Sequence, residues 1–287
     1  MADNGSAADA AAAAGGFDFK LYRYTPSLPA AIIFVVIFAI LSALHTWRLI
    51  RHRSLYFTAF TIGGYFEFIG YCGRIWSHYD TLSIGGFVIQ AILILVAPAL
   101  FAASIYMILG RLIRTLRAES LSLIPIAWVT RVFVISDVVA FSLQAGGGGI
   151  QAAGTLELFH LGEKIIIAGL FVQIIMFGFF MVTAVIFQHR FVHSSIVESM
   201  HQKSINWRRH LNVLYAVSAL ILVRSIFRVI EYLQGNDGYL ISHEVFLYVF
   251  DAVLMMSVMV LFLIWYIDDI EKRPSREDLE LSVTETA

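Results

Sequence analysis

The chain has 287 residues and a formal net charge of −1; 59% of its residues are hydrophobic and only 14% are charged. Soluble domains carry about 25% charged residues, so this composition excludes an ordinary soluble domain and indicates a polytopic membrane protein. The near-zero charge gives no indication of a nucleic-acid partner, and the single cysteine, Cys72, excludes an intrachain disulfide.

The hydropathy pattern divides the chain into a membrane domain with a tail at each end. Residues 1–20, rich in alanine and glycine, are predicted to be a disordered tail, and residues 269–287 a second, cytosolic one. The membrane domain, 21–268, holds seven apolar segments long enough to cross about 30 Å of hydrocarbon as helices. These segments are 28–49, 55–77, 84–109, 127–145, 163–187, 211–234 and 241–265. The predicted fold is an all-α membrane protein with seven transmembrane helices.

Basic residues are distributed unevenly between the two ends of the predicted helices. Cytosolic loops of membrane proteins are enriched in arginine and lysine. Only Lys20, Arg23 and Lys164 fall on one side, so that side is predicted to be outside and to hold the N-terminus, with the C-terminus in the cytosol. The residues on the other side are Arg48, Arg51, Arg53, Arg111, Arg114, Arg117, Arg190, Lys203, Arg208, Arg209, Lys272, Arg273 and Arg276.

Charged and amide side chains inside the predicted helices are the strongest functional signal. A charge at the bilayer centre costs about 2.5–3.5 kcal/mol, so these side chains are expected to face partners in the interior of the bundle. On the sixth helix, Arg224, Arg228 and Glu231 have i, i+4 and i+7 spacing and share one face. Pairs seven residues apart share a face on three other helices, and two further helices add glutamines. These residues are Glu67 with Arg74, Asp137 with Gln144, Glu244 with Asp251, and Gln90 and Gln173.

Two interpretations of this polar set remain open. The side chains either line a cavity that opens to the outside and holds a ligand, or form a closed core of ion pairs that only joins helices. Arginine suits phosphate or carboxylate groups, and carboxylates suit amines and protons. With apolar walls around it, a cavity of this kind would suit an amphipathic ligand. Protonation of a carboxylate would offer one way to couple transport to a proton gradient.

Two backbone features fall within or beside the apolar segments. Pro98 lies inside the third helix and predicts a kink that shapes a cavity or acts as a hinge. The glycine run 146–149 follows the fourth segment and is predicted to begin an outside loop.

The histidines do not predict a metal site. His189 and His193 have the i, i+4 spacing of two metal ligands, but they stand beside Arg190 at a cytosolic helix end and are interpreted as solvated. His45 and His160 also lie near helix ends and are expected at the membrane interface. Neither a metal nor a cofactor is predicted.

Seven sequence blocks, taken together, resemble the fungal RTA-like proteins. This is the lipid-translocating exporter family, and RTA stands for resistance to aminocholesterol. The resemblance covers about residues 20–270. The blocks are YRYTPSLPAA, GGYFEFIGYCGR, FVIQAILILVAPALFAASIYMILGRL, VFVISDVVAFSLQAGGGG, AGLFVQIIMFGFF, LVRSIFRVIEYLQG and HEVFLYVFDAVLM.

The resemblance implies a seven-helix protein of the plasma membrane or an endomembrane that moves lipids or lipophilic compounds and confers resistance to them. Sphingoid-base-like, sterol-like and toxic amphiphiles are the implied cargo, and membrane lipids or lipophilic small molecules the implied partners. The resemblance implies that the charged and amide side chains inside the helices are shared positions that bind or move the cargo, and adds Gly70, Tyr71 and Pro98 as helix-kink or packing positions. The implied binding positions are Glu67, Arg74, Gln90, Asp137, Gln144, Gln173, Arg224, Arg228, Glu231, Glu244 and Asp251.

Two other classes of protein compete with an exporter. A seven-helix receptor for a lipophilic ligand would have the same topology, although the chain lacks a pair of cysteines for an extracellular disulfide and a lysine for a retinal Schiff base in the seventh helix. An integral-membrane terpene cyclase would use Glu67, Asp137 or Asp251 as a general acid. The sequence favours a transporter or binding protein over an enzyme.

Overall fold

The computed structural model of the chain describes residues 26–80, 84–151, 156–194, 207–235 and 238–265. The two predicted disordered tails, 1–20 and 269–287, lie outside the described residues. The described residues form helices joined by short connections and contain no β-strand. The long helices are α1 (Leu28–His52), α2 (Thr58–Tyr79), α3 (Ile84–Thr115), α4 (Ile126–Gln151), α5 (Leu156–Val192), α6 (Trp207–Leu233) and α7 (Glu244–Ile264), the last with a π-helical turn at Tyr248–Ala252.

Six of these helices, α1 and α3 to α7, are long and apolar enough to cross a membrane. Their outward faces carry large apolar side chains, such as Ile40, Ile135 and Ile175, each more than half exposed. Such faces suit contact with hydrocarbon, and the chain is an integral membrane protein. The helix α2 is not in this set, because its 22 residues include four glycines together with Glu67 and Arg74.

The helices form a ring in which each packs against its neighbours in sequence and α7 returns to α1. The helix α3 also packs across the ring against α6. Among the six apolar helices, α3 and α6 are the most enclosed: 56% and 50% of the most apolar part of each is buried, compared with 28–33% for the others. The ring therefore encloses a protein interior, away from lipid, into which polar side chains of α2, α6 and α7 can point.

Glycines allow α2 to lie very close to α3. A Cβ atom on Gly70 would stand 2.7 Å from the Ile94 side chain, and a Cβ on Gly73 only 3.1 Å from the Gln90 backbone nitrogen. Distances this short leave no room for a side chain, so the sequence GYCG fixes the α2–α3 contact. The family resemblance implies that Gly70 is a packing position, and Gly70 lies in this contact.

The glycine run 146–149 is helical, contrary to the expected loop. The helix α4 continues to Gln151, and a Cβ on Gly147 would lie 2.7 Å from the Gly162 carbonyl oxygen of α5. Glycine has low helix propensity in water. In hydrocarbon, however, no solvent can satisfy an open backbone, so a helix continues through residues that would end it elsewhere.

We expect Gly162→Ala to destabilise the α4–α5 pair by about 1–3 kcal/mol, the usual cost of forcing extra atoms into a packed contact. A Cβ on Gly162 would collide with the Gly147 carbonyl oxygen and lie 2.8 Å from the Gln151 nitrogen. The measurement is the unfolding midpoint of the purified protein in detergent. Gly148→Ala is the control, because a Cβ there meets nothing within 4 Å; equal midpoints for the two variants would contradict the contact.

Candidate functional site

Side chains on the facing sides of α2 and α7 form three layers, and side chains of α6 join these layers. We call this set of α2, α6 and α7 side chains the charged core. On each helix the facing residues are spaced by about one turn, so they form a single stripe. The stripes are Glu67, Tyr71 and Arg74 on α2, and Asp251, Tyr248 and Glu244 on α7. Two of the layers are charged, and an aromatic layer separates them.

The first charged layer is centred on Asp251, whose carboxylate binds two arginines of α6. One oxygen accepts a hydrogen bond from Arg224 Nε, and the other lies 3.3 Å from Arg228 Nη2. The second guanidinium nitrogen of Arg228 reaches Glu231 Oε2 at 2.8 Å. Asp251 is fully buried on the π-helical turn of α7, an irregularity that recurs at functional sites. One carboxylate thus joins α6 to α7 twice.

Arg224 also joins α6 to the proline of α3. Its Nη2 donates to the Ile94 carbonyl oxygen at 2.9 Å. Ile94 precedes Pro98 by four residues, and proline has no N–H to offer that carbonyl. The guanidinium therefore replaces the hydrogen bond that Pro98 removes from the helix. Pro98, predicted to kink α3, acts here by opening a backbone acceptor to a charged partner.

Glu67 is buried beside this layer without a hydrogen bond. It has no exposed surface, and neither of its carboxyl oxygens contacts a donor among the described residues. The charges of Asp251, Arg224 and Arg228 act on it. A buried polar group without a partner is expensive, so this carboxyl is the least satisfied group in the core.

Aromatic rings form the middle layer and extend it to α1. Tyr71 stacks on Phe38 with ring centroids 5.4 Å apart, and Tyr248 stacks on Phe34 at 5.2 Å. Tyr71 is completely buried, and its hydroxyl has no hydrogen-bond partner among the described residues. The layer separates the two charged layers with polarizable, apolar surface that still carries hydroxyl groups.

The second charged layer lies where α1 begins. Arg74 Nη2 is 2.7 Å from Glu244 Oε1, and its Nε is 3.1 Å from the Tyr248 hydroxyl. Glu244 accepts the backbone N–H of Ser27 through both oxygens, at 2.8 and 2.9 Å. Ser27 precedes α1, and its side chain makes no capping hydrogen bond. The beginnings of α1 and α7 and the end of α2 are therefore held together.

Three of the predicted site residues lie in other contacts. Tyr106 of α3 donates to Asp137 Oδ2 at 3.0 Å, and Tyr106 is twelve residues, about 18 Å along the helix, from Ile94. Gln144 donates to Gln173 Oε1 at 3.1 Å and joins α4 to α5. The structure therefore does not bring Asp137, Gln144 and Gln173 into the charged core.

Gln90 and the histidines considered from the sequence lie outside the charged core. Gln90 is buried next to Gly73 in the α2–α3 contact. His189 and His193 are both exposed, and the His193 ring bonds the His189 carbonyl at 2.8 Å. His45, expected at the interface, is fully buried, with Nε2 3.0 Å from the Met259 carbonyl and its ring against Phe60.

The sequence interpretation missed Tyr106, Tyr248 and the Ile94 carbonyl as partners of the charges. The carbonyl has a readable signal, since the residue four before an internal proline always has an unsatisfied acceptor. Tyr248 also had one, because it lies between Glu244 and Asp251 on the same face. No sequence signal identified Tyr106, since the chain has 12 tyrosines and several lie in its apolar helices.

A bundle of apolar helices around buried ion pairs defines an integral membrane protein with a charged interior. The family model described as RTA1 like protein matches residues 60–273. The chain therefore belongs to the RTA1-like protein family, and the match includes every residue of the charged core.

Relatives from Saccharomyces cerevisiae share most of the chain. Protoporphyrin uptake protein 1 is 39% identical over 281 residues, covering 85% of this chain and 91% of the relative. Protein RTA1 is 37% identical, with coverage of 86% and 84%. The sphingoid long-chain base transporter RSB1 is 28% identical, with coverage of 80% and 69%. No solved structure matches the chain.

Proposed function

We propose that this protein moves amphipathic lipids or other lipophilic compounds across a membrane, with the polar head of the cargo passing through the charged core. Sphingoid-base-like, sterol-like and toxic amphiphiles are the proposed cargo, and resistance to them the consequence. Two relatives support this: one is named for transport of sphingoid long-chain bases and another for uptake of protoporphyrin.

The observation that carries the proposal is the charged core itself. Arg74 and Arg224 are at most 2% exposed, and Asp251 and Glu67 have no exposed surface. Joining helices requires far fewer buried charges than this, and ionisable groups inside membrane bundles commonly mark the path of a substrate or a proton. The arrangement described here is a closed one, so transport requires α6 and α7 to separate and expose Asp251 and its arginines.

The proposed topology has seven transmembrane helices, with the N-terminus outside and the C-terminus in the cytosol. We include α2 as the seventh, since 22 helical residues extend about 33 Å and its charged side chains face α6 and α7. Arginines gather where α1 and α3 end and where α6 begins. By the positive-inside rule that end is cytosolic, and the layer of Arg74 and Glu244 is on the outer side.

The proposed location is the plasma membrane, and the proposed activity is not enzymatic. The charged core offers paired arginines and carboxylates, an arrangement suited to binding a head group. No observation on the described residues favours a receptor or a cyclase over a transporter.

We expect the purified protein to retain an amphiphile, detected by mass spectrometry, and Arg228→Ala to retain at least about tenfold less, equivalent to about 1.4 kcal/mol of binding. Arg228 is the right residue to change because its side chain is 13% exposed, whereas Arg224 is enclosed. Asp251 keeps Arg224 as a partner in the variant. Vesicles containing the protein should move the identified compound, and Arg228→Ala should not.

Arg131→Ala is the matched control. Arg131 is an exposed arginine of α4 whose guanidinium lies 6.0 Å from the Trp128 ring, outside the charged core. It should retain the amphiphile and the transport rate of the unchanged protein. Equal retention and equal transport in all three proteins would overturn the proposed role of the core.

A further inference from the structure

The arginines of the charged core are all matched without Glu67. Arg74 pairs with Glu244, Arg224 with Asp251, and Arg228 with both Asp251 and Glu231. Three guanidiniums therefore face three carboxylates among the residues of the core, and Glu67 is a fourth carboxyl. If it were ionised, the core would hold one uncompensated negative charge.

The position of Glu67 makes that charge costly. Its side chain has no exposed surface, and neither oxygen accepts a hydrogen bond from a described residue. Removing an ion from water costs several kcal/mol unless charges and hydrogen bonds around it compensate. A neutral, protonated carboxyl avoids most of this cost. The closed arrangement thus favours a proton on Glu67.

The surroundings of Glu67 also allow the proton to leave. From α6 the guanidiniums of Arg224 and Arg228 act on it, from α7 the carboxylate of Asp251, and Tyr71 is one turn away on α2. From α1, Ser42 approaches: its hydroxyl would be 2.7 Å from a Cβ on Gly64, one turn before Glu67. The Ser42 and Tyr71 hydroxyls are buried and have no hydrogen-bond partner within the described part of the chain, so water that enters on opening would find polar groups there.

We propose that Glu67 is the proton-binding residue of this protein, protonated in the closed arrangement and deprotonated when the core opens. The proton leaves to water, and the carboxylate that remains competes with Asp251 for Arg224 and Arg228. Because those two arginines hold α7 to α6 through Asp251, the competition loosens the contact that must open. As a step of a transport cycle this inference rests on the proposed function, but proton binding itself does not.

The first experiment measures the melting temperature of the purified protein in detergent from about pH 5 to pH 9, a range in which buried carboxyls titrate. The closed state requires the protonated form, so stability should be highest at acidic pH and decline as pH rises. For one titrating group, the ratio of folded to unfolded protein should fall by at most about tenfold per pH unit. Glu67→Gln, which resembles the protonated form, should lose the part of this decline that Glu67 causes.

Asp137→Asn is the control, because Asp137 is a buried carboxyl bonded to Tyr106 outside the core. It should lose only the part of the decline that its own buried carboxyl causes and keep the part that Glu67 causes. A decline in Glu67→Gln equal to that of the unchanged protein, or one that disappears completely in Asp137→Asn, would overturn the assignment.

A second measurement does not depend on stability. The infrared carbonyl band of a protonated carboxylic acid should be present in the unchanged protein and in Asp137→Asn at neutral pH, with the Glu67 contribution missing from Glu67→Gln. An identical carboxylic-acid band in Glu67→Gln would overturn the proposal. If the Glu67 band and the pH response are found but no amphiphile is transported at any pH, the proposed function fails and the proton site stands.

Discussion

Asp251→Ala is expected to lower the free energy of unfolding by about 3–5 kcal/mol, the cost of removing one partner from a buried ion pair. Asp251 is completely buried and serves two guanidiniums. Its loss would leave Arg224 with the Ile94 carbonyl and Arg228 with Glu231, so two positive charges would share one carboxylate. The unfolding midpoint in a mild detergent, titrated with a denaturing one, measures the change.

Two further variants show whether charge compensation is the cause. Ser257→Ala lies on the exposed face of the same helix, where its hydroxyl only bonds the Val253 carbonyl, and should stay within about 0.5 kcal/mol of the unchanged protein. Arg224→Met combined with Asp251→Leu removes one charge of each sign. That pair should be more stable than Asp251→Ala alone, because apolar replacement of a buried ion pair is often nearly neutral. An additive loss would contradict the pairing.

We expect the loss of stability in Asp251→Ala to depend on Glu67. With Asp251 gone, Arg224 and Arg228 have a surplus of positive charge, and Glu67 is close enough to act on both. Its carboxyl would then ionise and take over part of the compensation. Asp251→Ala combined with Glu67→Gln is therefore expected to be clearly less stable than the sum of the two single changes predicts.

The periodicity of the sequence was sufficient to assemble most of the charged core. The cost of a charge in hydrocarbon requires Arg224, Arg228 and Glu231 to face inward, and their spacing puts them on one stripe. The same reasoning applies to Glu67 with Arg74 and to Glu244 with Asp251, and the structure brings these residues together. Each of these helices contributes one face to the charged core, so the spacing of the charges was enough to predict which residues meet there.

Periodicity does not tell which neighbour an inward face meets. Asp137 has the same spacing to Gln144 as Glu244 has to Asp251, yet α4 lies between α3 and α5 and its polar residues meet Tyr106 and Gln173. A ring of helices offers several inward-facing contacts, and only the packing order separates them. Similarly, Gly147 was expected in a loop because glycine disfavours helix in water, whereas its role is the close approach to Gly162.

The bond between Arg224 and the Ile94 carbonyl predicts that the effect of Pro98→Ala depends on residue 224. An internal proline costs a helix about 3 kcal/mol relative to alanine. In the unchanged protein Arg224 already satisfies the Ile94 carbonyl, so restoring the N–H at position 98 recovers only part of that amount. Arg224→Lys keeps the positive charge near Asp251 but has a single nitrogen, which cannot reach both Asp251 and α3.

We therefore expect Arg224→Lys to lose about 1–3 kcal/mol, the cost of a buried acceptor left without a donor. Adding Pro98→Ala to it should recover about 2–3 kcal/mol, clearly more than Pro98→Ala gains alone. The four unfolding free energies form a cycle whose coupling is expected between about 0.5 and 3 kcal/mol. Zero coupling would mean that Arg224 and Pro98 act independently. A positive coupling would make the proline a positioning element for the guanidinium, since α3 then holds Arg224 only because residue 98 cannot donate.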